Sequence, residues 1–354
     1  MISKIIQKKI LNKELIIRKL PLNYNKNDYS LFNKDLKYEA RNTYIYFFFG
    51  EFEIFPNGIL NQIKNIFTKN YCSINGISKF KLIKIIFLYT NYFIDFSKNL
   101  IKKKKYKIIE FDKVLILYDR HTHGYYHWVN DFLIKLDTIK NLNYIIDYII
   151  ILPSIYNLKF IKDSLKLLGA KYYILKANQK IRAKQIMLVP ELSLSGNPRP
   201  KSLKNFVYNI KKKISLKKKF TKKIYISRKK SQRRKLTNEV EFEKYLKARG
   251  FKIVFAEDLN FEDQIKIFHN AKIVIGLYGA GLVNCMWMKK NSLLIELRPD
   301  KEKYANCFLS TCNILKIKYM YYLCKKDNFF MSVTSSNFKL DIKNFDKNFS
   351  RFIK

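Results

Sequence analysis

From about residue 110 onward, short apolar runs alternate with amphipathic segments. Apolar runs bounded by turn residues predict strands, and apolar residues that recur every three or four positions predict helices. The alternation therefore predicts βαβ units and parallel sheets. The predicted strands are KVLILYD (113–119), DYIIILP, YYILK, QIMLVP, KIYISR, KIVFA, KIVIG and SLLIEL. The predicted helices cover residues 125–140, 157–168, 238–249, 261–270 and 281–289.

The alternation forms two series, separated by the lysine-rich stretch NIKKKISLKKKFTKK (209–223). A chain of 354 residues also exceeds the usual size of a single core. We therefore expect an α/β protein with two Rossmann-like domains that face each other across a cleft. The predicted domains are residues 1–215, in which 1–105 carry no clear signal, and residues 216–325. The tail, 326–354, is expected to pack back on the first domain.

Two predicted N-caps support the positions at which the helices are predicted to begin. Asn238 is a predicted N-cap, with Glu241 at the reciprocal position of a capping box. Asn260 is the predicted N-cap of the next helix, with Asp263 in its first turn.

The chain carries 70 Lys and Arg against 28 Asp and Glu, a formal net charge of +42. Such a charge is one mark of a nucleic-acid-binding protein. The lysines are spread along the whole chain, however, which favours a solvated surface. We expect no nucleic-acid partner. A share of the lysines could still hold the protein on an anionic membrane surface.

The cysteines and the apolar stretches indicate the cellular compartment in which the protein works. The cysteines are odd in number and form no CxxC pair, which predicts reduced core thiols; they are Cys72, Cys285, Cys307, Cys312 and Cys324. The first twenty residues lack the apolar core of a signal peptide, and the longest apolar stretches are only strand-length. These features predict a cytoplasmic protein whose only membrane contact is peripheral, at the inner face.

Three of the chain's 10 glycines lie within the segment IVIGLYGAGLVN (273–284). Their order, G-x-x-G-x-G, differs from the dinucleotide-binding fingerprint, and no P-loop lysine follows. The context is nevertheless strand, tight turn and helix. Ligands of parallel sheets collect at such carboxyl ends, where helix N-termini present free N–H groups. Either Gly279, Ala280 and Gly281 expose amides to a phosphate-bearing ligand, or the glycines serve a structural turn.

The segment YISRKKSQRRKLTNEVEF (225–242) places Ser227 and Arg228 at the end of a predicted strand. Arg234 lies just ahead of Asn238. Guanidinium groups at a strand end can bind phosphate oxygens in a forked geometry. A solvated basic loop is the alternative, although arginine is scarce in this lysine-rich chain.

The segment DRHTHGYYHWVND (119–131) also follows a predicted strand. On the helix after it, an apolar stripe runs from Trp128 to Ile139, and His127 and Asp131 lie side by side away from that stripe. Three histidines fall in this segment, but their spacing matches no standard zinc pattern. No metal is expected. A surface ion pair is the alternative interpretation of His127 and Asp131.

Together these segments resemble glycosyltransferase family 61. The family pattern joins an "ISR…R…NE" block, a "GF…E…F.EQ" block and a "GxHGAGLxN" turn followed by "viEl", and residues 222–298 follow it in order. The segment GYYHWVNDFLIKL (124–136) is similar to the family's "yHwl.e.lprl" element. One position departs: Tyr278 stands where the family usually has histidine. Tyrosine can donate a hydrogen bond, but it cannot act as a base near neutral pH.

The resemblance implies a GT-B arrangement and an inverting, metal-independent enzyme that takes a nucleotide-sugar donor and a glycan acceptor, with no other cofactor. His127 or Asp131 would then supply the base that deprotonates the acceptor hydroxyl. Glu257 and Glu296 follow strands where a ribose hydroxyl could bind, and Gln264 matches a family position within a helix. The predicted donor-binding residues are Ser227, Arg228, Arg234, Asn238, Glu257, Tyr278, Gly279, Ala280, Gly281, Asn284 and Glu296.

The predicted function is therefore a cytoplasmic hexosyl- or pentosyltransferase that builds surface polysaccharide, such as capsule or lipopolysaccharide. Two alternatives stay open at this point. A basic nucleic-acid-binding protein is supported only by the charge. A sugar-nucleotide-binding protein that has lost catalysis is supported by Tyr278.

Overall fold

The computed structural model of the protein describes residues 2–33, 36–55, 58–59, 105–119, 121–216, 222–300, 306–328, 331–332 and 335–354. The chain forms two compact units. The first unit is Met1–Lys13 with Arg41–Leu192, and the second is Glu14–Ala40 with Ser193–Lys354. These boundaries differ from the predicted ones, because an N-terminal segment and residues 193–215 join the second unit.

The strands in chain order are β1 Ile2–Leu11, β2 Glu14–Ile17, β3 Lys37–Ala40, β4 Thr43–Phe55, β5 Gly58–Ile59, β6 Lys107–Ile116, β7 Ile149–Pro153, β8 Tyr172–Leu175, β9 Gln179–Leu188, β10 Lys222–Ile226, β11 Phe251–Val254, β12 Ala271–Leu277, β13 Leu293–Pro299, β14 Lys318–Lys326 and β15 Phe338–Lys339. The α-helices are α1 Tyr29–Phe32, α2 Tyr125–His127, α3 Ile134–Asn141, α4 Lys159–Leu168, α5 Pro200–Lys212, α6 Glu239–Lys247, α7 Phe261–His269, α8 Cys307–Leu315 and α9 Ile342–Ile353. A π-helical segment, Trp128–Leu133, joins α2 to α3. The 3₁₀ helices are Lys26–Asp28, Ser154–Tyr156, Ala256–Asp258 and Ala280–Trp287.

The first unit contains a mixed sheet with the strand order β1-β4-β9-β6-β7-β8, and β5 pairs with β4. Strands β9, β6, β7 and β8 are mutually parallel, as the alternating pattern predicts. Strand β4 is antiparallel to both β9 and β1. The predicted parallel sheet is therefore corrected to a mixed one, because the aromatic strand β4 pairs with the edge of the βαβ unit.

The second unit has the strand order β11-β10-β12-β13-β14-β15. The first five strands are parallel, and β15 is antiparallel to β14. This is the doubly wound order of flavodoxin-like folds, in which ligands bind beyond the carboxyl ends of the two strands at the switch point. Here those strands are β10 and β12. The Ser227–Arg228 pair and the glycine turn therefore leave the sheet side by side.

The C-terminal helix α9 belongs to the second unit. Its residues Phe345, Phe349 and Ile353 are fully buried or nearly so, and they pack in the same core as Tyr225 and Phe242. Apolar residues at a spacing of four form one stripe along a helix, and this stripe covers one face of the second sheet. The tail thus packs on the second unit, and the prediction that it returns to the first domain is wrong.

The segment Glu14–Ala40 covers the free edge of β14. Leu22 N–H donates to Tyr319 O at 2.9 Å. The Asn23 side chain continues this ladder, because its Nδ2 donates to Tyr321 O at 2.7 Å and its Oδ1 accepts from Tyr321 N–H at 3.1 Å. One carboxamide therefore replaces a strand partner and protects an exposed sheet edge.

The cysteine prediction is confirmed for four residues: Cys285, Cys307, Cys312 and Cys324 are buried free thiols. Cys72 lies outside the described residues. Within the part of the chain that the structure describes, no helix combines the length and the apolar character needed to span a bilayer.

Candidate functional site

Neighbouring side chains pack directly against the backbone of the glycine turn after β12. A Cβ atom at Gly276 would lie 2.9 Å from Leu282 Cδ2, and one at Gly279 would overlap Arg228 Nη1. None of the three glycines has φ in the left-handed region, and Gly279 has the extended value φ 172°. Packing against Leu282 and Arg228 therefore explains two of these glycines, and a left-handed backbone does not.

Arg228 holds its own loop against this turn. Its Nε donates to Arg234 O at 2.8 Å, and its Nη2 donates to Ser231 Oγ at 2.8 Å and Arg233 O at 3.1 Å. Burial, together with the charge of Arg234, lowers the pKa of Arg228 to about 10. Most of its donors are thus committed to the loop, which leaves Nη1 facing Gly279 as the atom that could reach a ligand.

Arg234 and Tyr278 lie together beside the turn. The Arg234 guanidinium carbon is 5.7 Å from the centroid of the Tyr278 ring, within the range of a cation–π contact. Arg234 has φ 58°, a left-handed conformation that is uncommon for a residue with a side chain. The Tyr278 ring also packs edge-on against Phe308 at 5.9 Å, and burial raises the pKa of its hydroxyl. Tyr278 is therefore a neutral donor that orients a cation.

Glu239, which sequence reasoning missed, ties the end of β10 to helix α6. Its Oε1 accepts hydrogen bonds from Tyr225 OH at 3.0 Å, Ser227 Oγ at 2.8 Å and Arg228 N–H at 2.9 Å. The only sequence signal for Glu239 was that it follows Asn238 in the "NE" part of the family pattern. Ser227 is buried and bonded to this carboxylate. Its predicted contact with a donor is therefore corrected to a structural role.

Asn238 and Asn284 are also engaged inside the protein. Asn238 Nδ2 donates to Leu340 O at 2.8 Å and its side chain caps no N–H of α6, so the predicted capping box does not form. Asn284 is fully buried, with Nδ2 2.7 Å from Gln264 Oε1. The pair stabilises the 3₁₀ helix, which makes both family positions structural. By contrast, the predicted cap of Asn260 is confirmed, since its side chain accepts from Asp263 N–H at 2.8 Å.

The two predicted ribose-binding acids have opposite environments. Glu296 lies inside β13, buried, where its Oε2 accepts from Tyr319 OH at 2.6 Å and lies 3.9 Å from Arg298 Nη1. Burial raises the pKa of Glu296, with Arg298 opposing. Its predicted position after the strand is thus wrong. Glu257 is exposed on the 3₁₀ helix after β11, and its charge acts on Arg228, so it stays available to a ligand.

In the first unit, the turn after β6 is held rigidly. Asp119 Oδ1 accepts from the N–H groups of His121 at 2.8 Å and Thr122 at 3.1 Å. Tyr156 OH donates to Asp119 O at 2.9 Å. These bonds set the position at which the helical segment 125–141 begins.

The predicted contact between His127 and Asp131 is present. His127 Nδ1 lies 2.7 Å from Asp131 Oδ2, and Asn130 Nδ2 donates to Asp131 Oδ1 at 2.8 Å. Burial lowers the pKa of His127, but the hydrogen bond to Asp131 and the charges of Asp131, Asp119 and Glu191 outweigh it, so the pKa is raised. Both residues lie at or next to the π-helical segment, a feature frequent at functional sites.

Lys135 is a second residue that sequence reasoning missed. It is only 2% exposed and lies one helical turn beyond Asp131. Burial lowers its pKa, while the charges of Asp119, Glu191 and Asp131 oppose that shift. Asp119 and Glu191 follow the neighbouring parallel strands β6 and β9, so both reach the same sheet edge. In a chain rich in lysine, no sequence signal distinguishes this one.

The comparison with protein families decides what these sites belong to. Residues 125–295 match the family model described as Glycosyltransferase 61. Over these residues the protein is similar to glycosyltransferase family 61. The match runs from the helix that carries His127 to β13, and it confirms the resemblance seen in the sequence. A search of curated proteins finds no match to the chain.

The match supports a glycosyltransferase, an enzyme with a donor and an acceptor substrate. Arg234 brings positive charge to the glycine turn of the second unit, and His127 and Asp131 form a close polar pair in the first unit. Among the described residues, no group of three or more His, Cys, Asp and Glu side chains is arranged to hold a metal ion.

Proposed function

We propose that this glycosyltransferase transfers a sugar from a nucleotide-sugar donor with inversion at the anomeric carbon and without a metal ion. The observation that carries the proposal is the convergence of Arg228, Arg234 and the glycine turn at the switch point between β10 and β12. A diphosphate leaving group needs positive charge and N–H donors, and this edge offers both. Glu257 is our candidate for the ribose hydroxyl groups.

The proposed base is His127. When Nδ1–H donates to Asp131, Nε2 is the lone-pair acceptor of the ring. The acceptor hydroxyl gives its proton to Nε2 as its oxygen attacks the anomeric carbon. The bond between that carbon and the diphosphate oxygen breaks, and the negative charge leaves with the nucleoside diphosphate, beside Arg234. Asp131 orients the ring and stabilises the imidazolium that forms.

The wider assignment follows from the family resemblance and is part of the same proposal. We expect a GT-B enzyme, a glycan acceptor and a role in surface polysaccharide synthesis at the inner face of the membrane. Tyr278 in place of the family's usual histidine is consistent with a neutral hydrogen-bond donor to the diphosphate.

The experiment is a binding and turnover assay with a panel of nucleotide sugars and nucleoside diphosphates, in buffer with and without EDTA. We expect one nucleotide class to raise the melting temperature and transfer to continue in EDTA. Loss of transfer in EDTA that manganese or magnesium restores would contradict the metal-free site. A control panel of single-stranded oligonucleotides should leave the melting temperature unchanged.

A further inference from the structure

The two oxygens of the Asp131 carboxylate have different partners. Oδ2 lies 2.7 Å from His127 Nδ1, and Oδ1 accepts a hydrogen bond from Asn130 Nδ2 at 2.8 Å. A carboxylate turns easily about its Cβ–Cγ bond, because that torsion is broad. Partners on both oxygens restrict this rotation, so the amide of Asn130 restrains the oxygen that faces His127.

The local helix geometry favours this contact between neighbours in the sequence. In a regular α-helix, adjacent side chains do not face each other. Asn130 and Asp131 both lie in the π-helical segment Trp128–Leu133. The i→i+5 hydrogen bonds of a π-helix place more residues in each turn, which reduces the angle between successive side chains. The segment thus helps the amide of one residue to reach the carboxylate of the next.

Asn130 is otherwise an unfavourable residue for a buried position in a helix. Its side chain is only 5% exposed, and its Oδ1 has no hydrogen-bond partner in the part of the chain that the structure describes. Asparagine has a low helix propensity, and a buried acceptor without a partner destabilises a fold. Turning the amide over would place its oxygen against Asp131 Oδ1, where two acceptors repel. Donation to Asp131 is therefore the contact that defines this side chain.

Other side chains hold the π-helical segment in place. Trp128 is fully buried, and its Nε1 donates to Ser164 Oγ at 2.9 Å. Its ring stacks on Phe132, with the ring centroids 3.9 Å apart. These contacts join the segment to α4 without Asn130. Loss of the Asn130 amide should therefore leave the helix in place and change mainly the pair beside it.

We propose that Asn130 is a positioning residue, which orients Asp131 and, through it, the imidazole of His127. The inference rests on the proposed function, in which His127 is the base. When Nδ1–H donates to the restrained Oδ2, Nε2 keeps its lone pair and a fixed direction toward the acceptor substrate. Without Asn130, the carboxylate samples rotations in which Oδ2 leaves the ring. A smaller share of the molecules then holds His127 in the tautomer that can accept the proton at Nε2.

An NMR titration of the histidine-labelled full chain tests this orientation without any substrate. The signal of His127 is assigned by its absence in His127→Gln. Asn130→Leu removes the amide at similar volume, and the pKa of His127 should fall by about 0.5, because a looser contact with Asp131 favours the protonated ring less. If the amide only disperses the charge of Asp131, its removal strengthens the carboxylate's attraction for the proton and raises that pKa. A rise or no change overturns the proposal.

The other groups around His127 stay the same in this comparison. Asp119 after β6 and Glu191 after β9 also favour its protonated form. The ring centroid of His121 is 5.4 Å from that of His127, and Lys135 lies one helical turn beyond the pair. None of these residues is substituted, so a change in the pKa of His127 reports on the amide.

A double-mutant cycle separates positioning from general damage to the fold. In the Asp131→Asn background, Asn130→Leu should not lower the pKa of His127 further, because its effect passes through the carboxylate. Additive decreases overturn the proposal. The matched control is Asn141→Leu, which removes an amide that donates to Asp137 at 3.0 Å on the same helical stretch and should leave that pKa unchanged. If Asn130→Leu fails to fold, Asn130→Ala carries the test.

Single-turnover transfer distinguishes this inference from the proposed function. Asn130→Leu should lower kcat roughly threefold to tenfold at unchanged nucleotide affinity, a smaller loss than in Asp131→Asn. A lowered pKa with a normal rate would show that Asn130 orients the pair but that His127 is not the base, which contradicts the proposed function. An unchanged pKa in Asn130→Leu, together with slow transfer in His127→Gln, keeps the base and overturns only the role of Asn130.

Discussion

His127 Nδ1 and Asp131 Oδ2 lie 2.7 Å apart, one helical turn from each other, at the carboxyl edge of the first sheet. The contact directs the histidine's second nitrogen away from the carboxylate, and Nε2 carries the ring's lone pair when Nδ1–H donates to Asp131. A histidine oriented by a carboxylate is the usual arrangement of a general base. The pair therefore supports the strongest tests of the proposed chemistry.

Asp131→Asn should lower the rate of transfer, because the neutral amide neither orients the imidazole in the same tautomer nor stabilises its protonated form. General-base assistance is worth about 10²–10⁴-fold, so we expect a loss of at least about tenfold in kcat with nucleotide affinity unchanged. Single-turnover transfer at saturating substrates measures it. Asp147→Asn, which removes an exposed carboxylate of the same unit, is the control. A normal rate in both Asp131→Asn and His127→Ala would place the base elsewhere.

The pH profile should follow the raised pKa of His127. Only neutral His127 can accept a proton, so kcat/KM should rise with pH and level off above the folded-state pKa, which lies above the ordinary value of about 6.5. Asp131→Asn removes the hydrogen bond and charge that favour the protonated ring, and the acidic limb should move to lower pH. The same shift should appear in the NMR titration of His127. An acidic limb that does not move would show that another group titrates.

Arg234→Ala should weaken nucleoside diphosphate binding by about 2 kcal/mol, the scale of a charge-assisted contact in a partly closed site. Arg234→Lys should restore only part of it, since lysine lacks the planar fork. Titration calorimetry compares these variants with Arg233→Ala, which removes an exposed neighbouring arginine. If Arg234→Ala and Arg233→Ala bind the nucleoside diphosphate with equal affinity, Arg234 is a solvated loop residue that does not contact the ligand.

Gly279→Ala and Gly281→Ala test the close approach of Arg228 to the turn. A Cβ at Gly279 would displace the Arg228 guanidinium from its loop, whereas one at Gly281 would make an ordinary contact at 3.4 Å with Ile226. We expect Gly279→Ala to reduce nucleotide affinity roughly tenfold and Gly281→Ala to have little effect. Isothermal titration of both variants decides. A larger loss of nucleotide affinity in Gly281→Ala than in Gly279→Ala would mean that the Gly281 amide, rather than Arg228, dominates binding.

Glu239→Ala should destabilise the second unit, because it leaves the Tyr225 and Ser227 hydroxyls and the Arg228 N–H without their shared acceptor. Removing a buried charged acceptor costs about 3–5 kcal/mol. Glu241→Ala, on an exposed position of the same helix, should change the free energy of unfolding by no more than about 0.5 kcal/mol. Urea denaturation measures both. Similar stabilities would show that water replaces the carboxylate at little cost.

Although α5, α8, β14, β15 and α9 were not predicted, most strands and helices between residues 113 and 297, the cap of Asn260 and the contact between His127 and Asp131 were predictable from the sequence. Each depends on residues a few positions apart, and backbone geometry alone sets the distance between such neighbours. The glycine turn was also predictable as a candidate ligand site, because the strand before it and the helix after it are its direct neighbours in the sequence.

Other features depend on which distant side chains meet. Asn23 joins the second unit by pairing with Tyr321, 298 residues away, and Asn238 pairs with Leu340 instead of capping its own helix. Glu239 and Lys135 look like ordinary charged residues until the strands and helices around them come together. Burial and the charges of neighbouring elements exist only in the folded chain, and they alone separate these two residues from the many others of their type. Local periodicity thus determined most of the elements between residues 113 and 297, whereas the tertiary structure decided which charges are paired and which are buried.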